Sequence, residues 1–145
     1  MKTWIKILII LAIIGLISAF IVWKFVINKS HPDYANVKAD MEVIASDLFT
    51  QYTTKKADAD KSYTGKEIQL KGQFSKIEQN GTVAIVIFVF RQGDFGDEGV
   101  RCVLLPDEIG KIKNIKPNQE IIIKGFCSGF NETDVMVDKC VFVNL

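Results

Sequence analysis

The sequence predicts a mostly-β domain, a small five-stranded Greek-key barrel that follows an amphipathic helix and an N-terminal transmembrane helix. An uncharged apolar segment opens the chain, and five strand-like segments fill its C-terminal half. Two of those strands share one pattern, Ile68-Gln-Leu-Lys-Gly-Gln-Phe74 and Ile121-Ile-Ile-Lys-Gly-Phe-Cys127, with apolar residues at the two-residue period of a strand. A glycine inside a strand suits a sharp bend or the close approach of another backbone. We therefore expect Gly72 and Gly125 to be structural residues of two strongly bent strands.

The N-terminal segment has the length and composition of a membrane span. After a tail of residues 1–3, the predicted anchor covers residues 4–27, with Trp4 and Trp23 near its ends, where indole rings favour the membrane interface. At about 1.5 Å per residue it can cross a hydrocarbon core of roughly 30 Å. A cleaved signal peptide is the alternative, but its apolar core is shorter. We expect a retained single-pass anchor in the cytoplasmic (inner) membrane, with the C-terminal domain outside the cytoplasm.

Charge and cysteine usage narrow the possible functions. All 17 acidic residues but only 15 of the 18 Lys and Arg follow the anchor, so residues 28–145 carry a net charge of −2. Domains that hold a phosphate backbone are clearly basic, so we do not expect nucleic acid as a partner. The three cysteines lack zinc-site spacing, and we expect neither a metal nor a cofactor. His31, the only histidine, lies in the predicted linker, so no nucleophile has a nearby imidazole base and no enzyme is expected.

Between the anchor and the strands, the sequence predicts a linker over residues 28–36 and a helix with its connector over residues 37–62. Apolar residues recur there at intervals of three and four, which is typical of one buried helical face. We expect that face to pack on the barrel, although a partner-binding helix is the alternative. The apolar positions are Val37, Met41, Ile44, Ala45, Leu48, Phe49 and Tyr52.

The barrel is predicted over residues 63–145. The first strand, from Ile68, ends at the hairpin dipeptide Asn80-Gly81. The second strand is the apolar run 83–90, a glycine-rich loop is expected over residues 91–99, and the third strand covers 100–105. Pro106 opens a short helix, and the fourth and fifth strands, 120–128 and 135–143, are joined by a hairpin at Asn131–Asp134.

This order, with its two glycine-bent strands, matches the OB-fold, a five-stranded and partly open Greek-key barrel. A two-sheet sandwich is the alternative architecture. The chain also resembles the tRNA_anti-like family of small bacterial OB-fold proteins, many of which look like lipoproteins. The resemblance covers the chain from the anchor to the C-terminus and implies no established activity. Its elements are Asn28-Lys29, His31, Asp47-Leu48-Phe49, Tyr63, Gly65-Lys66, Gly72, Val100, Cys102, Gly125 to Gly129, and Asp134-Val135 through Cys140.

The second and third strands of an OB-fold, with their flanking loops, form its usual ligand surface. We therefore predict a binding module whose ligand is an envelope protein or a small molecule. The alternative for the aromatic residues is that the preceding helix covers Phe88 and Phe90. The candidate ligand-binding residues are Phe88, Phe90, Arg91, Phe95 and Arg101.

Two further alternatives concern other residues. A single-stranded nucleic-acid-binding surface would combine these aromatic and arginine residues with a basic cluster. In an extracytoplasmic domain, Cys127 and Cys140 could form a disulfide on the last hairpin. Alternatively, all three cysteines are small buried hydrophobic residues. The basic cluster consists of Lys111, Lys113, Lys116 and Lys124.

Overall fold

A computed structural model describes residues 2–23 and 36–145. The chain forms two compact units, 1–32 and 33–145; the described part of the first is helical and that of the second is mostly β. The first unit is helix α1 (Lys2–Val22), and its segment Thr3–Val22, with a mean hydropathy of 2.9, is long and apolar enough to cross a membrane. A signal sequence would share these properties. His31, the end of the predicted anchor and nearly all of the predicted linker 28–36 lie outside the described residues.

Seven strands form one hydrogen-bonded sheet in the second unit. The strands are β1 (Met41–Ile44), β2 (Glu67–Gln73), β3 (Lys76–Asn80), β4 (Val83–Gly93), β5 (Gly96–Leu104), β6 (Glu120–Phe130) and β7 (Val135–Asn144). Their order in the sheet is β1-β2-β6-β7-β5-β4-β3. The β1–β2 and β5–β7 pairs are parallel and the other pairs are antiparallel.

Seven strands are present rather than five for two reasons. The predicted first strand is divided, because the break at Phe74-Ser75 separates β2 from β3. The second reason is that residues 41–44, predicted as part of a helix, form β1. Although only Phe74 and Ser75 separate β2 from β3 along the chain, the two strands lie far apart in the order of strands across the sheet.

The tight hairpins follow the turn signals of the sequence. Gly81, at φ 60°, follows β3 in the turn before β4, a conformation that glycine adopts readily. The prediction of a long loop over residues 91–99 is wrong. Cross-strand pairs of Arg91 with Glu98 and of Gln92 with Asp97 extend the ladder almost to the tip of the hairpin.

The segment before β2 is a strand and two helices rather than one helix. Helix α2 (Ala45–Thr54) buries Ala45, Leu48, Phe49 and Tyr52, the stripe that the three- and four-residue spacing predicts. Helix α3 (Lys56–Tyr63) then occupies the region expected to be a connector. Residues 41–44 depart from the prediction because they pair in parallel with β2, a partner 27 positions away that periodicity cannot reveal.

The core lies between the sheet, α2 and a short helix that joins β5 to β6. That helix, Pro106–Asn114, is a 3-10 helix with proline near its start, where the missing N–H costs nothing. Its buried Glu108 accepts the Phe142 N–H at 2.9 Å and pairs with Lys111 at 2.7 Å. Ile109 and Ile112 pack against the core from the same helix.

The two glycines of the repeated pattern are each in close contact with a neighbouring element. A Cβ on Gly72 would lie 3.2 Å from the Cβ of Ala45 and 3.3 Å from the Phe88 ring. A Cβ on Gly125 would lie 2.6 Å from the Cys140 Sγ, closer than atoms can approach. An added side chain at Gly125 would force its neighbours to move, and one at Gly72 would pack tightly against Ala45 and Phe88.

Candidate functional site

The domain buries one of the five predicted ligand-binding residues and partly covers two others. Phe88 is fully buried in the core. Phe90 lies against Phe49 of α2, with ring centroids 5.7 Å apart. The Arg91 guanidinium lies over the same Phe49 ring, 5.8 Å from its centroid. Phe90 nevertheless stays 39% exposed and the Arg91 side chain 54% exposed, so helix α2 covers the Phe90 ring only in part.

Phe95 and Arg101, the other two predicted residues, line one surface cavity of about 130 Å³. We call it the hairpin cavity, because it lies where the tip of the β4–β5 hairpin meets the β6–β7 loop. Phe95, in the hairpin turn, is 97% exposed, the most exposed large hydrophobic residue of the second unit. The lining residues are Phe95, Gly96, Asp97, Glu98, Arg101, Thr133 and Asp134.

Asp134 is the buried polar group of the hairpin cavity, with 6% of its surface exposed. Its Oδ1 accepts the Gly99 N–H at 3.0 Å, and its Oδ2 accepts the Arg101 Nε–H at 3.0 Å and the Thr133 hydroxyl at 3.2 Å. A buried carboxylate needs such partners to offset the loss of water. These contacts therefore hold the β6–β7 loop against β5.

The β6–β7 loop is also fixed from within. The Asn131 side-chain oxygen accepts the Asp134 N–H at 2.7 Å, the Thr133 N–H at 3.2 Å and the Thr133 hydroxyl at 3.0 Å. Asparagine stabilises a turn in this way by bonding to the backbone that follows it. The hairpin cavity thus has a wall with a defined conformation.

Cations and carboxylates alternate on the outer face of β3, β4 and β5. Arg101 Nη1 lies 3.2 Å from Glu78, and Lys76 Nζ lies 3.2 Å from Glu78 and 2.7 Å from Asp97. Hydrogen bonds from Lys76 and Gln92 hold the pKa of Asp97 below its usual value, and bonds to Asp97 and Glu78 raise the pKa of Lys76. These side chains keep their charges at neutral pH.

On the side of the hairpin that faces α2, Arg91 pairs with Glu98, whose Oε2 accepts its Nε–H at 2.6 Å. The ligand face predicted for the fold therefore carries cations that are already bound to carboxylates. A phosphate backbone would have to displace those carboxylates to reach Lys76, Arg91 or Arg101.

The basic cluster proposed for nucleic-acid binding is not one exposed surface. Lys124 is only 7% exposed, and its ammonium group donates to the Val37 carbonyl. Lys111 is exposed but is bound to Glu108 at 2.7 Å. Lys113 and Lys116 are also exposed.

All three cysteines are free and buried in the structure. Cys127 lies opposite Val137, three positions before Cys140, and its sulfur is 3.4 Å from the Tyr52 hydroxyl oxygen. Burial raises the pKa of the Cys127 and Cys140 thiols, so both remain protonated at neutral pH. The Cys127–Cys140 disulfide stays a prediction. Within residues 2–23 and 36–145, no three His, Cys, Asp or Glu side chains converge as metal ligands would.

Sequence reasoning missed Asp134 and Thr133 as parts of the site. Asp134 lies 33 positions from Arg101, and the parallel pairing of β5 with β7 is what brings the two residues together. Asp134 also stands in a stretch that reads as a simple hairpin turn. The sequence therefore offers no local signal for this pair.

Comparison with solved structures places the domain among proteins with OB-type architecture. One similar structure is a proposed nucleic acid-binding lipoprotein from Klebsiella pneumoniae, 16% identical, with a TM-score of 0.57 over 79% of this chain and 100% of that chain. Another is a proposed aspartyl-tRNA synthetase from Leishmania major, 9% identical, with a TM-score of 0.48 over 81% of this chain and 22% of that chain. At these identities the likeness shows the fold alone.

No curated protein sequence matches the chain. The family model named tRNA_anti-like matches residues 1–141, nearly the whole chain and both of its units. That match agrees with the resemblance found from the glycines, cysteines and apolar positions. The chain therefore belongs to the tRNA_anti-like family.

Proposed function

We propose that the chain is a membrane-tethered interaction module that binds a protein partner outside the cytoplasm and catalyses no reaction. In this proposal α1 is the retained anchor in the inner membrane. The second unit is the binding domain, and the hairpin cavity with Phe95 is its contact site.

The proposal includes a closed five-stranded OB barrel. Strand β3 is at one end of the sheet, and β2 is next to β1 at the other. If β2 and β3 are the two halves of one bent strand, that strand joins the two ends of the sheet and closes the barrel. The Ser75 N–H, between the two halves, donates to the Ile87 carbonyl of β4 at 2.8 Å, which supports a continuous ladder around the bend. The short strand β1 is then an addition beside β2.

The exposure of Phe95 is the observation that carries the functional proposal. A phenylalanine that is 97% exposed contributes little to the packing of its own domain. Exposed aromatic residues beside rigid pockets are typical anchors of protein interfaces. The cavity of about 130 Å³ is smaller than the roughly 300–1,000 Å³ of most small-molecule sites, which favours a protein side chain as its occupant.

Photo-cross-linking in intact cells tests this function. A photoreactive amino acid replaces Phe95 in the full chain, and a matched chain carries it at Lys113, an exposed position on the 3-10 helix. We expect one discrete protein adduct from position 95 and none from position 113. Co-expressed unmodified chain should suppress the adduct, whereas a Phe95→Ala chain should not.

Other outcomes of this experiment decide against the proposal. An adduct sensitive to nuclease would favour the nucleic-acid alternative, which the proposed activity of the Klebsiella lipoprotein also suggests. Equal adducts from positions 95 and 113 would indicate nonspecific contact. A chain with no adduct at position 95 would not use the hairpin as a binding site.

A further inference from the structure

The hairpin cavity combines a fixed polar wall with an exposed aromatic ring. Its wall includes the buried Asp134, which three protein donors hold in place. Asp97 adds a second carboxylate at the end of the hairpin, and Arg101 is the cation among the described lining residues. A group entering this cavity therefore meets more negative than positive charge.

We propose that the hairpin cavity receives the cationic end of a lysine or arginine side chain from the protein partner. The aliphatic part of that side chain would lie across Phe95, and its charged end would reach the Asp97 carboxylate. This inference rests on the proposed function and adds the chemistry of the contact.

The size of the cavity selects one side chain as the occupant. A volume of about 130 Å³ has room for the end of a long side chain but not for a nucleobase with its sugar. A lysine or arginine stem can cover apolar surface while its head remains in a polar environment. Phe95 offers that apolar surface, and its ring face also attracts a cation.

The electrostatics favour a cation over an anion. Lys76 already binds Asp97, but its side chain is about 41% exposed, so it can move aside toward water. A carboxylate accepts several hydrogen bonds, and a second donor can share Asp97. A phosphate or carboxylate ligand would instead face the carboxylates of Asp97 and Asp134 and an arginine that Asp134 and Glu78 already hold.

The test uses peptides as probes and the full chain in lipid nanodiscs. Four blocked pentapeptides, Gly-Gly-X-Gly-Gly with X as Arg, Lys, acetyl-lysine or Glu, are titrated into isotope-labelled protein at low salt. We expect the Arg and Lys peptides to shift the backbone amide resonances of Phe95, Asp97 and Thr133. The acetyl-lysine and Glu peptides should leave them unchanged.

Two variants and one control locate the contact. Asp97→Asn and Phe95→Ala should each raise the dissociation constant of the Arg peptide about fivefold or more. Glu42→Gln, which removes an exposed carboxylate from β1, should leave it unchanged. The unperturbed resonances of the core report in the same spectra that each variant is folded.

The inference is overturned if the Glu peptide shifts the same resonances, if the shifts spread over every acidic surface, or if Asp97→Asn has no effect. If one of these results is found together with a discrete adduct at position 95, the proposed function is retained, but the partner does not bind through a lysine or arginine side chain. Loss of the adduct itself would instead remove the function on which the inference rests.

Discussion

Gly125 is a position where one added carbon should disturb the whole domain. A Cβ there would lie 2.6 Å from the Cys140 Sγ and 2.9 Å from the Asp138 carbonyl oxygen. We expect Gly125→Ala to lower the free energy of unfolding by about 2 kcal/mol, as overpacking of a tight core does. Chemical denaturation of the chain in detergent micelles measures the change. Gly110→Ala is the matched control, because nothing lies within 4 Å of its Cβ position, and equal losses for both variants would contradict the packing argument.

Glu67 is the second residue with a clear expected effect. Its Oε2 has no hydrogen-bond partner although that atom is buried, and burial raises the pKa of the carboxyl group above its usual value. Nearby Lys124 and Lys139 lower this pKa, whereas Asp40 adds to the increase. The folded state therefore favours the neutral Glu67 carboxyl group over the charged carboxylate.

A raised pKa in the folded state gives a stabilising contribution below the unfolded pKa, and that contribution is lost as the pH rises through the folded pKa. We expect Glu67→Gln to stabilise the domain at pH 7 by no more than about 1 kcal/mol, since the residue is partly exposed. Urea unfolding between pH 4.5 and 7 should show a smaller decrease in stability for the variant than for the native chain. Glu42→Gln, in an exposed position, should keep the native pH dependence, and an unchanged profile for Glu67→Gln would refute the assignment.

Among the elements, those defined by local signals were predictable and those defined by distant partners were not. The turn at Gly81, the proline-led helix and the buried stripe of α2 all follow from residues close in sequence. Strand β1 does not follow from such residues. Met41 and Ile44 continue the three- and four-residue spacing of α2, and only their pairing with β2 makes this segment a strand. For the same reason the ion pair of Arg101 with Asp134, which joins β5 to the β6–β7 loop, had no local signal.

Helix α2 and strand β4 meet at Phe49 and Phe90, and this contact should stabilise the end of the domain. Phe49 is 5% exposed, so Phe49→Ala should cost about 3–5 kcal/mol of unfolding free energy. Phe90→Ala should lower the unfolding free energy by clearly less, because Phe90 is 39% exposed. A double-mutant cycle should give a coupling of about 0.5–1.5 kcal/mol for the ring pair. A coupling near zero would mean that α2 does not cover Phe90 in solution and would return Phe90 to the candidate ligand surface.

For the whole molecule, the distribution of charge separates the two classes of partner. A net charge of −2 beyond the anchor was readable from composition, and the structure adds that Lys76, Arg91 and Arg101 are bound to carboxylates. A domain that works through phosphate contacts gains affinity because its cations displace the counterions condensed on the nucleic acid, and here carboxylates already occupy those cations. Protein recognition through one aromatic ring and one small cavity makes no such demand.

The compartment of the domain is the property of the whole chain on which both proposals depend. We expect an enzyme reporter that is active only after export to be active when fused after Leu145, and a cytoplasmic fluorescent reporter at the same site to be dark. The matched control begins at Asn36 and should reverse both signals, because it lacks the described helix that is long and apolar enough to cross a membrane. An oxidising compartment would also permit the predicted Cys127–Cys140 disulfide, so thiol counting on the exported chain tests that pair against three buried thiols. A fluorescent, inactive full-length fusion would instead place the domain in the cytoplasm, where nucleic acid is accessible and an envelope partner is not.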